Sequence, residues 1–88
     1  MRTVWVVSQY VDHEYTMWPH AFPTLAKASR EVYELLDELQ GDIAARGGEP
    51  PLSMRVLRMN NPLKKVGDGY EIDTDQILFG LHKVKLPT

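Results

Sequence analysis

The stretch TLAKASREVYELLDELQGDIAAR, residues 24–46, decides the fold class. Leu25, Ala28, Val32, Leu35, Leu36, Leu39 and Ile43 recur mostly at three- and four-residue steps, which puts them on one face of a helix, and this face is expected to be buried. Lys27 and Glu31, like Arg30 and Glu34, are opposite charges four residues apart on the other side. Thr24 is placed to cap the first turn, because its hydroxyl can accept a free backbone N–H. Gly41 interrupts at a cost of about 1 kcal/mol. Ile43 keeps the phase, so the helix is expected to reach Arg46 and stop at Gly47-Gly48.

On both sides of this helix the periodicity changes to that of strands. Residues 3–11, TVWVVSQYV, are dense in β-branched and aromatic side chains. Val4, Val6, Ser8 and Tyr10 share one face, and Trp5, Val7, Gln9 and Val11 the other. Both faces begin apolar, as expected of a central strand. Asp12-His13-Glu14 breaks the run. A short second strand over Tyr15–Phe22, closed by Pro23, makes a hairpin in which Pro19 requires an edge position or a bulge. After the helix, Leu52 to Met59 reads as a third strand. Gly67-Asp68-Gly69 carries a tight-turn signature, and Gln76 to Leu86 reads as the last strand. There Ile77, Phe79 and Leu81 share one face but Val84 and Leu86 the other, which predicts a bulge near His82. The expected fold is one α+β domain over residues 1–88: a small antiparallel sheet of three to five strands, in a ββαββ-like order, with one amphipathic helix across a face.

Composition narrows the classes. The chain has 88 residues, 43% apolar and 25% charged, which argues against a disordered tail or a coiled coil. No apolar run approaches the ~18 residues of a spanning helix. There is no cysteine, so disulfides and thiolate zinc sites are excluded, as suits a reducing compartment. Met1–Val7 has too short an apolar run for a signal peptide, and a cytoplasmic location is expected. A net charge of −2 gives no general attraction to nucleic acid or anionic lipid. The charge is unevenly spread. Residues 31–49 carry Glu31, Glu34, Asp37, Glu38, Asp42 and Glu49 against Arg46 alone.

Motifs for catalysis are missing. Ser8, Ser29 and Ser53 lie in no Gly-x-Ser-x-Gly elbow, and Ser8 with His13 and Asp12 pairs a strand residue with its own following turn, which seldom converges. The glycines at 47–48 and 67–69 lack the Lys-Ser/Thr of a phosphate loop. Asp73-Thr74-Asp75 begins like a calcium loop but lacks the later Gly and Glu. His13 and His20, with Asp12 and Glu14 nearby, are the candidate ligands for a metal-assisted hydrolase, but no pair has helical ligand spacing. No enzyme, metal or cofactor is therefore expected.

Aromatic placement is the most informative feature. Five of the eight aromatic residues fall in the first 22 positions, so they concentrate in the predicted hairpin. Tyr10, Tyr15, Met17, Trp18 and Phe22 are the candidate partner-binding residues, because Trp and Tyr anchor interfaces. The same residues could instead cover one end of the core. The acidic helix face could steer a basic partner. The alternative is a nucleic-acid surface built from Arg55, Arg58, Lys64 and Lys65, with Lys83 and Lys85 and a stacking aromatic such as Trp5 or Tyr10. Strand-edge lysines that block aggregation have the same appearance.

The opening Val4-Trp5-Val6-Val7, the Phe22-Pro23-Thr24-Leu25-Ala26-Lys27-Ala28 lead into the helix and the closing strand resemble the short α+β accessory proteins of actinobacterial bacteriophages. The resemblance implies a cytoplasmic protein that binds a host or viral macromolecule without catalysis. The expected function is a protein-binding module, an inhibitor or regulator acting through the Tyr10–Phe22 hairpin, with a homodimer through the same surface or an edge strand as a companion expectation.

Overall fold

The hairpin predicted at the start of the chain organises the sheet. A computed structural model describes residues 2–87. Strand β1 (Arg2–Val11) turns at Asp12-His13 into β2 (Glu14–Phe22). Both turn residues have positive φ, +50° and +67°, the pattern of a type I′ hairpin turn. Ser8 stands opposite Met17 but Val6 opposite Ala21, so β2 carries two extra residues in a bulge around Pro19 and His20. Pro19 is thus both on an edge strand and at a bulge, the two places where its missing N–H is tolerated.

Helix α1 (Leu25–Ala45) follows, with Thr24 Oγ1 accepting from Lys27 N at 3.1 Å. It ends at Arg46, and Gly47 adopts φ +86°. Helix α2 (Met54–Asn60), strands β3 (Leu63–Val66) and β4 (Gly69–Asp73), and strand β5 (Leu78–Leu86) complete the chain. The five strands form one sheet in the order β2-β1-β5-β4-β3, and every neighbouring pair is antiparallel. The fold is α+β, with β1, β5 and β4 in the interior of the sheet and β2 and β3 at its edges.

The core lies between one sheet face and the helices. Val7, Phe79, Leu81 and Ile72 from the sheet meet Ala28, Val32, Tyr33 and Leu36 of α1 and Leu57 of α2. Tyr33 donates its hydroxyl to the Asn61 carbonyl at 2.6 Å, fixing α1 to the end of α2. Burial raises the Tyr33 pKa above the usual 10.0, and the guanidinium of Arg58, 4.4 Å from the ring centroid, partly offsets this.

Three expectations are corrected. Residues 52–59 do not form a strand: residues 54–60 are helical, so the sheet carries two helices and the order is ββααβββ. A short apolar run fits either period. Here Ser53 Oγ accepts from Val56 N at 3.3 Å and starts the helix, Leu57 turns into the core, and Val56 and Met59 face solvent. Secondly, β5 has no bulge near His82. Its register with β1 is unbroken from Arg2–Leu86 to Tyr10–Leu78. The apolar positions change face because Lys83 and Lys85 take the helix-side positions while Val84 and Leu86 join the opposite face beside Val4. Thirdly, the apolar stripe of α1 is not buried throughout. Leu39 and Ile43 remain exposed, the latter at 57%.

Candidate functional site

Side chains alternate between the two faces of a strand, and among the described residues only one face of this sheet carries helices. Cross-strand partners share a face, so the opposite one presents Val4, Val6, Ser8 and Tyr10 from β1. It also presents Tyr15 and Met17 from β2, and Leu78, Gly80, His82 and Val84 from β5. Its centre is closed without any covering layer. Val4 is 6% exposed yet lies outside the main core cluster. Ser8 is buried, and its Oγ lies 2.9 Å from His82 Nε2. Gly80 permits this: a Cβ there would come within 2.7 Å of Ser8 Oγ and 2.8 Å of His82 Nε2. The histidine beside Ser8 is therefore His82, 74 residues away in sequence, and not His13.

The five candidate aromatic-hairpin residues divide between the faces. Tyr10, Tyr15 and Met17 come together on the open face, at 42%, 60% and 47% exposure. Tyr10 and Tyr15 are direct cross-strand partners, and Met17 stands opposite Ser8. Trp18 and Phe22 are half-buried and pack against the core from the helix side. The Trp18 ring meets Phe79 edge-on at 6.2 Å and Phe22 at 6.3 Å, and its Nε1 donates to Gln9 Oε1 at 2.8 Å. Proximity in the chain groups these five, but the alternation of faces in the first strand continues into the second, where a bulge of two extra residues preserves it. Val84 and the sealed Val4, which complete the open face, were legible only as strand residues.

The basic residues do not converge in the same way. Arg55 and Arg58 lie on α2, not on a strand, and Arg58 is stacked on Tyr33. Lys64 and Lys65 are consecutive in β3 and so point to opposite faces. Lys65 instead joins Lys83, Lys85 and Asp68 around a depression of about 360 Å³. Its Nζ lies 5.6 Å from the Tyr70 ring centroid, and Tyr70 packs at 5.9 Å against Trp5.

His13 sits in the hairpin turn, with Nδ1 3.3 Å from the Tyr10 hydroxyl, and His20 sits in the β2 bulge. Among the described residues, no group of three or more His, Asp or Glu side chains could hold a metal ion. Thr74 closes the β4–β5 connection: its Oγ1 accepts from Ile77 N at 2.8 Å and donates to the Ile77 carbonyl at 2.8 Å. Among those residues, no helix is long and apolar enough to cross a membrane. No protein-family model matches the chain, and neither a curated protein nor a solved structure matches it.

Proposed function

We propose that this chain is a non-catalytic protein-binding domain that engages its partner through the uncovered face of the β1–β2 hairpin. Tyr10, Tyr15 and Met17 are the anchors. The observation that carries this is their joint exposure on a face without helices, beside the buried Ser8 that stands opposite Met17. Large amphipathic side chains on a rigid backing lose little conformational entropy on binding, which favours them at interface centres. Trp18 and Phe22 serve from behind, holding the edge strand. The resemblance to bacteriophage accessory proteins accords with a host or viral macromolecule as partner. Association of two copies through the same face is the companion reading.

The test compares the wild-type chain with Tyr15→Ser/Met17→Thr. Both positions are exposed, so folding stability should change by no more than about 1 kcal/mol for the two substitutions together. Cross-linked partners, or a dimer seen by sedimentation, should be lost. A folded double variant that keeps every partner and the same mass would refute the proposal.

One observation favours a second reading. Lys65, Lys83 and Lys85 flank the Trp5–Tyr70 pair, and basic side chains beside stacked aromatics suit a single-stranded nucleic acid. Gel shifts with a single-stranded oligonucleotide would then weaken steeply with salt and disappear in Lys83→Glu/Lys85→Glu.

A further inference from the structure

The outer edge of the hairpin and the acidic face of the helix that follows it form one groove. Trp18 and Pro19 of β2 and Leu35 of α1 supply an apolar lining, and Glu31, Glu34 and Glu38 of α1 stand along it, enclosing about 440 Å³ that is open to solvent. His20 is also part of the wall, but among the described residues no Lys or Arg lines the groove. The three carboxylates are spaced three and four residues apart, so they form one stripe about 10 Å long at ~1.5 Å per residue. An apolar lining with a single sign of charge along one side selects its occupant by complementarity. We propose that this groove binds an extended basic segment of a partner protein, with one aliphatic or aromatic side chain against Trp18 and Leu35 and flanking Lys or Arg residues paired with Glu31, Glu34 and Glu38.

The edge position of β2 suggests strand addition as the mode of binding, but Pro19 lacks the N–H that a continuous ladder would need. The segment is therefore held chiefly by its side chains, and its charge pattern sets specificity. The groove is lined by the helix-side residue Trp18, and not by Tyr10, Tyr15 or Met17, so it stands apart from the open-face proposal and can fail independently of it.

The probe is a capped heptapeptide, Gly-Lys-Leu-Arg-Leu-Lys-Gly, titrated into the ¹⁵N-labelled full chain. Saturable shifts are expected at the Trp18 indole N–H and at backbone amides 31–38. Binding should weaken at least tenfold in Glu31→Gln/Glu34→Gln/Glu38→Gln, whose exposed helix positions accept Gln with little change in helix propensity. It should be unaffected by Tyr15→Ser/Met17→Thr. If the triple variant is misfolded by circular dichroism, Glu34→Lys alone provides the same comparison. Several results would overturn the proposal. They are no saturable shift at millimolar peptide, equal binding of the peptide with Glu in place of Lys and Arg, equal binding by the Gln variant, shifts confined to the open face, or a homodimer that covers the groove.

Discussion

Trp18 Nε1 donates to Gln9 Oε1 across 2.8 Å, joining edge strand β2 to β1 on the side that faces the helices. Gln9 is the register partner of Phe79, whose ring meets Trp18 edge-on. The indole therefore has an apolar body against the core and a satisfied polar tip, the usual condition for a tryptophan that is only partly buried. It also stands just before the bulge, where the ladder between β1 and β2 is interrupted.

This bond should be measurable as a coupling. In a double-mutant cycle of Trp18→Phe and Gln9→Ala, urea unfolding should give an interaction energy of about 1 kcal/mol. Additive single losses would mean that water serves both groups equally well.

Two glycines should respond to alanine in opposite directions. Gly41 is inside α1 with nothing within 4 Å of an added Cβ, so Gly41→Ala should stabilise the fold by about 0.5–1 kcal/mol through helix propensity and a less flexible unfolded chain. Gly69 pairs with Val66 at the start of β4, and a Cβ there would fall 2.6 Å from the Leu81 carbonyl oxygen. That neighbour is backbone and cannot swing aside, so Gly69→Ala should cost about 1–3 kcal/mol. Thermal denaturation of the two variants side by side checks the contrast.

The hairpin turn stores strain. His13 holds φ +67° with a full side chain, where a type I′ turn prefers glycine at the second central position. His13→Gly should raise stability by about 0.5–1 kcal/mol, since the exposed 3.3 Å contact with the Tyr10 hydroxyl is a weak loss. A lower denaturant midpoint would show that this contact outweighs the backbone relief.

Tyr33 should set an alkaline limit on stability. Its folded pKa is raised above 10.0, chiefly by burial. The folded state thus keeps a proton that the unfolded state gives up. The resulting stability is complete below pH 10.0 and is lost as pH rises from there through the folded value. Tyr33→Phe loses the hydrogen bond to the Asn61 carbonyl, at about 1 kcal/mol, but its stability should fall less steeply above pH 10.0 than that of the wild type. Parallel slopes in urea midpoints between pH 9 and 11 would refute this assignment.

Much of the fold was legible in the chain. The apolar spacing of residues 25–43, the Thr24 cap and the Gly47-Gly48 stop determined α1 almost to the residue, because helix formation depends on local hydrogen bonds and a repeating face. The alternation of residues 3–11 likewise determined β1, and Pro19 marked the edge strand and its bulge. Residues 52–59 were ambiguous, since a run of alternating and three-spaced apolar residues satisfies both periods. Only the docking of Leu57 against the α1–sheet core, with Ser53 as cap, resolved it.

The site depended on tertiary structure to a greater degree. The sequence identified an aromatic hairpin and an acidic helix as separate features, and it paired Val84 and Leu86 with a bulge that does not exist. Whether an aromatic side chain anchors a core or meets solvent is determined by which face the helices cover, and that depends on how α1 crosses the sheet. Only this packing sent Trp18 and Phe22 inward, left Tyr10, Tyr15 and Met17 outside, and brought Glu31, Glu34 and Glu38 alongside Trp18. Local propensity carries no information about contacts between elements brought together by long-range antiparallel pairing.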